Sequence, residues 1–227
     1  MSTDTHVLLT VRGTLAPQSL EAARALHNDT AGSPAGIAAA REHGDLSHKV
    51  YAPCARWSRA GDQAGQLLFI DAWVEPEGIG RFFGNAHVRQ QAAGMFSERD
   101  ATVWMPARGA FAWTLQAPRG RDERYVGMIR APIAAPEQAI ATFAAVDRAI
   151  QRDARRRGLI AHELYIKLPM PGASGPMEIL GLDLWHDFDG MSEQYADRSK
   201  MEALGAAFAG APQASVWEQA TGNWSEW

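Results

Sequence analysis

The chain repeats itself. The segment Gly44 to Tyr51, GDLSHKVY, matches Gly158 to Tyr165, GLIAHELY, at its Gly, His and Tyr with an offset of 114 residues. LLFIDAWVEPEGI, from Leu67 to Ile79, then matches ILGLDLWHDFDGM, from Ile179 to Met191, aligning Asp71 with Asp183, Trp73 with Trp185 and Gly78 with Gly190 at 112. Phe96 meets Phe208 at the same offset, and TVWMPARGAF, from Thr102, meets SVWEQATGNW, from Ser215, at 113 for Trp104 and Trp217. Blocks that recur in one order with nearly constant spacing are the mark of a duplicated supersecondary unit.

Each copy reads as the same run of elements. In the first, Val7 to Arg12 has strand character, and a helical stretch from Ser19 to Glu42 is interrupted at TAGSPAG, because Gly and Pro break helices. The second copy has a cleaner helix from Pro136 to Arg157, with Pro suited to its first turn and Gly158 to its stop. Two strands follow, 48–55 and 66–74 in one copy and 161–168 and 178–186 in the other. A second helix, 76–97 or 190–209, and a last strand carrying Trp104 or Trp217 complete the set. The order is β-α-β-β-α-β twice, an α+β arrangement called ferredoxin-like. The copies span 1–113 and 124–227, and the polar segment 114–123 is read as their linker. A sheet with helices on one face must bury the other, which predicts two ferredoxin-like units packed sheet to sheet as a fused dimeric α/β barrel.

Composition narrows the function. Apolar residues make up 46% of the chain, enough for packed cores, and a formal charge of -4 supplies no basic face for nucleic acid. Cys54 is the single cysteine, so intrachain disulfides and thiolate clusters are excluded and a reducing, cytoplasmic setting is expected. Neither a signal peptide nor the ~20-residue apolar run needed to span a bilayer is present in the reading. A phosphate-binding glycine loop, a serine nucleophile elbow and a His-x-x-x-His metal pair are likewise missing. No nucleotide cofactor is expected, and the expected partner is a small aromatic molecule, with homo-oligomerisation left open.

DAWVEPEGIGRFFGNAHVRQQAAGMF and DLWHDFDGMSEQYADRSKMEALGAAF, an acidic residue and Trp closing a strand before an aromatic-bearing helix, resemble the dimeric α/β barrel superfamily and its antibiotic biosynthesis monooxygenase-like members. The resemblance covers essentially the whole chain. It implies a small-molecule enzyme, among them cofactor-independent monooxygenases of phenolic polyketides and haem-degrading monooxygenases. The haem-degrading relatives use an Asn, a Trp and a helix-borne His, types supplied here by Trp73, Asn85 and His87, but with both Asn85 and His87 on one helix.

Residues kept in both copies, His48 and His162, Asp71 and Asp183, Trp73 and Trp185, with Arg12 and Arg130 in a looser pairing, fit either a structural role or two equivalent sites. A strand-borne carboxylate at Asp71 needs a buried partner, and His48 or Arg12 on neighbouring strands is positioned to supply it. Residues that differ between copies point to a specialised site. Ile79, Phe83 and His87 fall on one helical face, so His87 is predicted to point inward as a general base or haem ligand, and the first copy to hold the larger polar cleft. In the leading reading His87 deprotonates a phenolic substrate whose carbanion reacts with oxygen, and Trp73 and Asn85 position it. Phe83, Arg12, His48, Asp71, Tyr195 and Trp185 are the candidate substrate contacts. A non-catalytic ligand-binding or stress-associated barrel and a haem-dependent enzyme are the alternatives.

Overall fold

The computed structural model describes residues 6–57, 63–115, 124–169 and 175–227, so most of the expected linker at 114–123 lies outside the described residues. The chain forms two compact units: Met1–Pro53, Gly61–Trp104 and Gln219–Trp227 in the first, Cys54–Ala60 and Met105–Glu218 in the second. The first carries β1 (Val7–Leu15), α1 (Leu20–Asp29), α2 (Pro34–Glu42), β2 (Asp45–Pro53), β3 (Gln66–Trp73), α3 (Pro76–Gly84), α4 (Ala86–Ala93) and β4 (Phe96–Pro106). The second carries β5 (Trp113–Thr114), β6 (Tyr125–Pro132), α5 (Pro136–Arg156), β7 (Leu159–Lys167), β8 (Glu178–Trp185), α6 (Phe188–Ala196), α7 (Arg198–Gly205) and β9 (Gln213–Gln219). The antiparallel strand order is β4-β1-β3-β2 in one and β9-β6-β8-β7 in the other, with β5 added beside β7. Both units are thus β-α-β-β-α-β, and the α+β reading holds. Among the described residues no helix is long and apolar enough to cross a membrane.

The repeated glycines have repeated jobs. Gly44 and Gly158 end the first helical segment of each unit at φ +95° and +102°, a conformation that costs a residue with a Cβ. Gly78 and Gly190 let the next helix start against that same helix end: an added Cβ would come within 2.1 Å of the His43 carbonyl oxygen or 1.9 Å of that of Arg157. The strand that follows Gly44 or Gly158 slips register at matched places, between Asp45 and Ser47 and between Leu159 and Ala161.

Local chemistry explains the helix breaks. Ser19 and Ser33 cap α1 and α2 by accepting from the amides of Ala22 and Gly36, which divides the first helical stretch where the TAGSPAG interruption was expected. The second helix of each unit, expected to be continuous, is divided as well. Asn85 caps α4 by accepting from the amide of His87, and Asp197 caps α7 by accepting from that of Ser199. A fresh helix start resets the angular phase, so the face counted from Ile79 through Phe83 does not continue to His87.

The cores sit between sheet and helices. In the first unit Ala23, Val50, Leu67, Met95, Phe96 and Ala220 form one cluster. In the second, Phe143, Leu164, Ile179 and Leu204 form one, and Tyr125, Trp185, Met191 and Val216 form another with the buried Cys54.

In each unit a histidine faces an aspartate in direct cross-strand register, His48 with Asp71 between β2 and β3 and His162 with Asp183 between β7 and β8. The Nδ1 to Oδ1 distances are 2.5 and 2.6 Å, and all four side chains are buried. A one-residue slip would send one partner to the opposite face and strand the other. Asp71→Ala should therefore lower unfolding free energy by about 3–5 kcal/mol by leaving His48 without its buried partner, while Asp71→Leu combined with His48→Leu should recover much of the loss. Denaturant unfolding of both variants checks this; a single-variant loss under 1 kcal/mol would mean the pair does not set register.

Candidate active site in the second unit

The pair is shared by the units, but its surroundings are not. In the first unit His48 Nε2 lies 3.0 Å from Nε2 of His27 on α1, and the two rings stack. Asn28 fixes the protons. Its amide nitrogen donates to the Asn223 carbonyl at 2.7 Å and its oxygen accepts from the Ser225 amide at 2.9 Å, so that oxygen must also face His27 Nδ1 as an acceptor. His27 is then the Nδ1–H tautomer and His48 Nε2 donates to it. Burial and the adjacent His48 hold His27 neutral, with its pKa pulled down to about 4. Trp224 and Trp227 pack on the two imidazoles.

In the second unit Asp147 of α5 stands where His27 stands in the first. Its Oδ2 is 2.8 Å from His162 Nε2, a buried ion pair. Burial opposes charge on His162, and the carboxylates of Asp147 and Asp183 override it, holding the imidazolium at a pKa of about 9. Asp183 is well below the usual carboxylate range: burial raises it, but Lys200, His162 and Tyr195 outweigh burial. Lys200 Nζ is 3.6 Å from Asp183 Oδ2 and 4.0 Å from Asp147 Oδ1. Tyr195 donates to Asp183 Oδ2 at 2.8 Å and accepts from the Trp185 indole at 3.1 Å. Burial and the Asp183 charge push its phenol well above the ordinary value.

This cluster lines a cavity of about 680 Å³ built from residues of the second unit, a size that suits a small organic ligand. Trp57, Met128, Phe143, Tyr195, Met201 and Val216 supply much of its apolar wall. Two glycines make the room. Gly127 is the cross-strand partner of Asp183 and Gly181 lies two residues before it. The matching positions in the first unit are Leu9, partner of Asp71, and Phe69, which packs on His27, His48 and Phe96. Gly127 also seats the Tyr195 hydroxyl, which lies 1.9 Å from where a Cβ would be.

The sequence-predicted site is thereby redistributed. His87 is exposed on α4, its Nε2 3.0 Å from the Gln91 amide nitrogen, so the inward position expected of a general base or haem ligand is corrected. Asn85 is the α4 cap and is also exposed. Trp73 is fully buried beside Phe82 and Phe83. Arg12 lies on the β1 face opposite Leu9 and bonds Gln66 Oε1 at 2.8 Å, so His48, not Arg12, partners Asp71. Of the expected contacts Tyr195 lines the cavity and Trp185 stands behind it, whereas Phe83, His48 and Asp71 belong to the first unit. The larger polar cleft was expected in the first unit; this cavity is built from residues of the second. Asp147, His162 and Lys200 were missed as a site, although Gly127 and Gly181 opposite Leu9 and Phe69 were a visible signal. Haem fits poorly here, because His162 is the one histidine among the described residues lining the cavity and both its nitrogens face carboxylates.

No family model matches the chain, and no curated protein matches its sequence. Solved structures do. An anthrone oxidase-like protein superposes with a TM-score of 0.67 at 13% identity, covering 96% of this chain and 93% of its own. A proposed monooxygenase of Lactobacillus acidophilus gives 0.60 at 10%, covering 94% and 93%. One from Fusobacterium nucleatum gives 0.60 at 9%, covering 97% and 94%.

Two measurements follow. Phe83 takes the place of Tyr195, and among the described residues Trp73 Nε1 has no hydrogen-bond partner, whereas Trp185 Nε1 bonds Tyr195. Phe83→Tyr is expected to raise unfolding free energy by about 1 kcal/mol by satisfying that indole; an unchanged or lower value would show that the phenol does not reach it. The buried histidines also give stability opposite pH slopes. His162, raised from 6.5 to about 9, stabilises fully below 6.5 and loses its contribution as pH rises through 9; His27, lowered from 6.5 to about 4, stabilises fully above 6.5 and loses its contribution as pH falls toward 4. Urea unfolding of the wild type and of His162→Gln from pH 4 to 10 should differ by a few kcal/mol below pH 6.5, and the difference should vanish as pH rises through 9.

Nearly the whole chain superposes on these structures at 9–13% identity, and it shares their fold, built here from two β-α-β-β-α-β units in tandem.

Proposed function

We propose that the second unit is an oxygenase site that takes a proton from a flat, aromatic or phenolic substrate and lets the resulting carbanion react with oxygen, without a nucleotide cofactor. One observation carries this reading: in an aromatic-walled cavity, Asp147 has one oxygen ion-paired to His162 at 2.8 Å while its other, Oδ1, is met by the Lys200 ammonium at 4.0 Å, beyond hydrogen-bond distance, which leaves that oxygen to take a proton. The remaining groups are unsuited to be the base. His162 is held protonated, both Asp183 oxygens are engaged, and the Tyr195 hydroxyl already donates and accepts.

Asp147 removes a proton from an activated CH₂ and Lys200 stabilises the negative charge that develops. The carbanion gives electrons to O₂, a C–O bond forms, and O–O cleavage releases water. The net change, CH₂ + O₂ → C=O + H₂O, needs no outside reductant. His162, Asp183, Tyr195 and Trp185 hold the site rigid as one chain of contacts. The likeness to proteins named for monooxygenase and anthrone oxidase activity supports the reaction class. The matched blocks and matched contacts support an origin by internal duplication, and the single, buried Cys54 suits a cytoplasmic setting.

Asp147→Asn should lower oxygen uptake on polycyclic phenolic ketones by ~10²- to 10⁴-fold while still binding them. Oxygen-electrode kinetics with parallel calorimetry decide the matter. Full activity in the variant would remove Asp147 as base, and wild-type binding without turnover would favour a ligand-binding protein.

A further inference from the structure

The charges around the cavity form a closed set. Asp147, Asp183, His162 and Lys200 are all largely buried, and with His162 protonated their charges sum to zero. The other charged residues lining the cavity, Asp197 and Arg198, are exposed and of opposite sign. An anion entering this space would leave an uncompensated negative charge beside two buried carboxylates, a costly state at low effective dielectric. A neutral acid would not. When its proton passes to Asp147, that carboxylate loses its charge as the substrate gains one, and the sum stays at zero.

Lys200 is the residue through which the exchange works. Its side chain is 13% exposed and its ammonium lies within 4.0 Å of both carboxylates. It also lies 5.8 Å from the centre of the Tyr195 ring. The matching position in the first unit is Val88, where the glycines that open the cavity are Leu9 and Phe69. The cation and the cavity thus occur together. Resting on the reading of the cavity as an aromatic-acid site, we infer that Lys200 is a specificity-determining residue that selects substrates entering uncharged, phenols and enolisable aromatic ketones, and binds the anion formed when Asp147 takes the proton. Ring systems already bearing a carboxylate, sulfonate or phosphate are rejected.

The test uses alizarin, whose colour reports ionisation of its phenol, and its ring-sulfonated derivative as the permanently anionic comparison. In the wild-type protein, bound alizarin should titrate at least one pH unit below free alizarin, a tenfold gain in acidity. The sulfonate should bind at least tenfold more weakly than alizarin itself. Lys200→Met should return the midpoint of the bound dye to that of the free dye or above it, and Lys200→Arg should keep the downward shift, which separates loss of charge from loss of packing. If alizarin binds but its midpoint is the same in the wild type and Lys200→Met, or if the sulfonate binds as tightly as alizarin, the role of Lys200 is overturned while the aromatic cavity stands. If neither dye binds the wild-type protein, the cavity reading falls and this inference with it.

Discussion

A histidine set opposite an aspartate across two neighbouring strands anchors each half of this molecule. Burying either alone would be costly, so the pair admits one register, and that register decides which side chains face the helices. From it follow the positions of Leu9 and Gly127 beside the aspartate, of Phe69 and Gly181 two residues before it, and of the helix-borne group that meets the far imidazole nitrogen. One framework thus accepts two fillings. With a second imidazole and large apolar neighbours it is a packed core; with a carboxylate and glycines it is a charged wall around a space.

The divergence is economical in physical terms. The group opposite Nε2 is the neutral imidazole of His27 in the first unit and the carboxylate of Asp147 in the second, where His162 is held as an imidazolium between two carboxylates. That change makes a nearby cation and a bonded phenol useful, and Lys200 and Tyr195 provide them. In the first unit Val88 and Phe83 occupy the matched positions.

How much of this was legible in the chain depended on the range of the interaction. The ladder of matched Gly, His, Asp and Trp residues reflects strand register and helix packing, so the paired units, their element order and a buried partner for Asp71 at either His48 or Arg12 could be read from spacing. The site could not be read by the same means. The inward reading of His87 assumed one helical phase from Ile79 onward, and the Asn85 cap, a single side-chain hydrogen bond, broke that phase. Asp147 escaped notice because its partner in the other unit, His27, is of a different residue type at a different offset. Comparison by likeness finds what two copies share, and this site consists of what one copy changed. Small residues where the other copy has large ones were the missed sign, since vacant volume is written in a sequence only as contrast.

The lone cysteine gains meaning in this setting. Cys54 is sealed beneath Val216 and Tyr125, and burial with the nearby Glu218 charge pushes its thiol up to about 11. Reaction with peroxides and alkylating agents proceeds through the thiolate, so the chain carries its one thiol in an inert form. The same burial makes that sulfur a built-in gauge: a thiol reagent can reach it only when the second unit opens, and its rate of labelling counts those openings one molecule at a time.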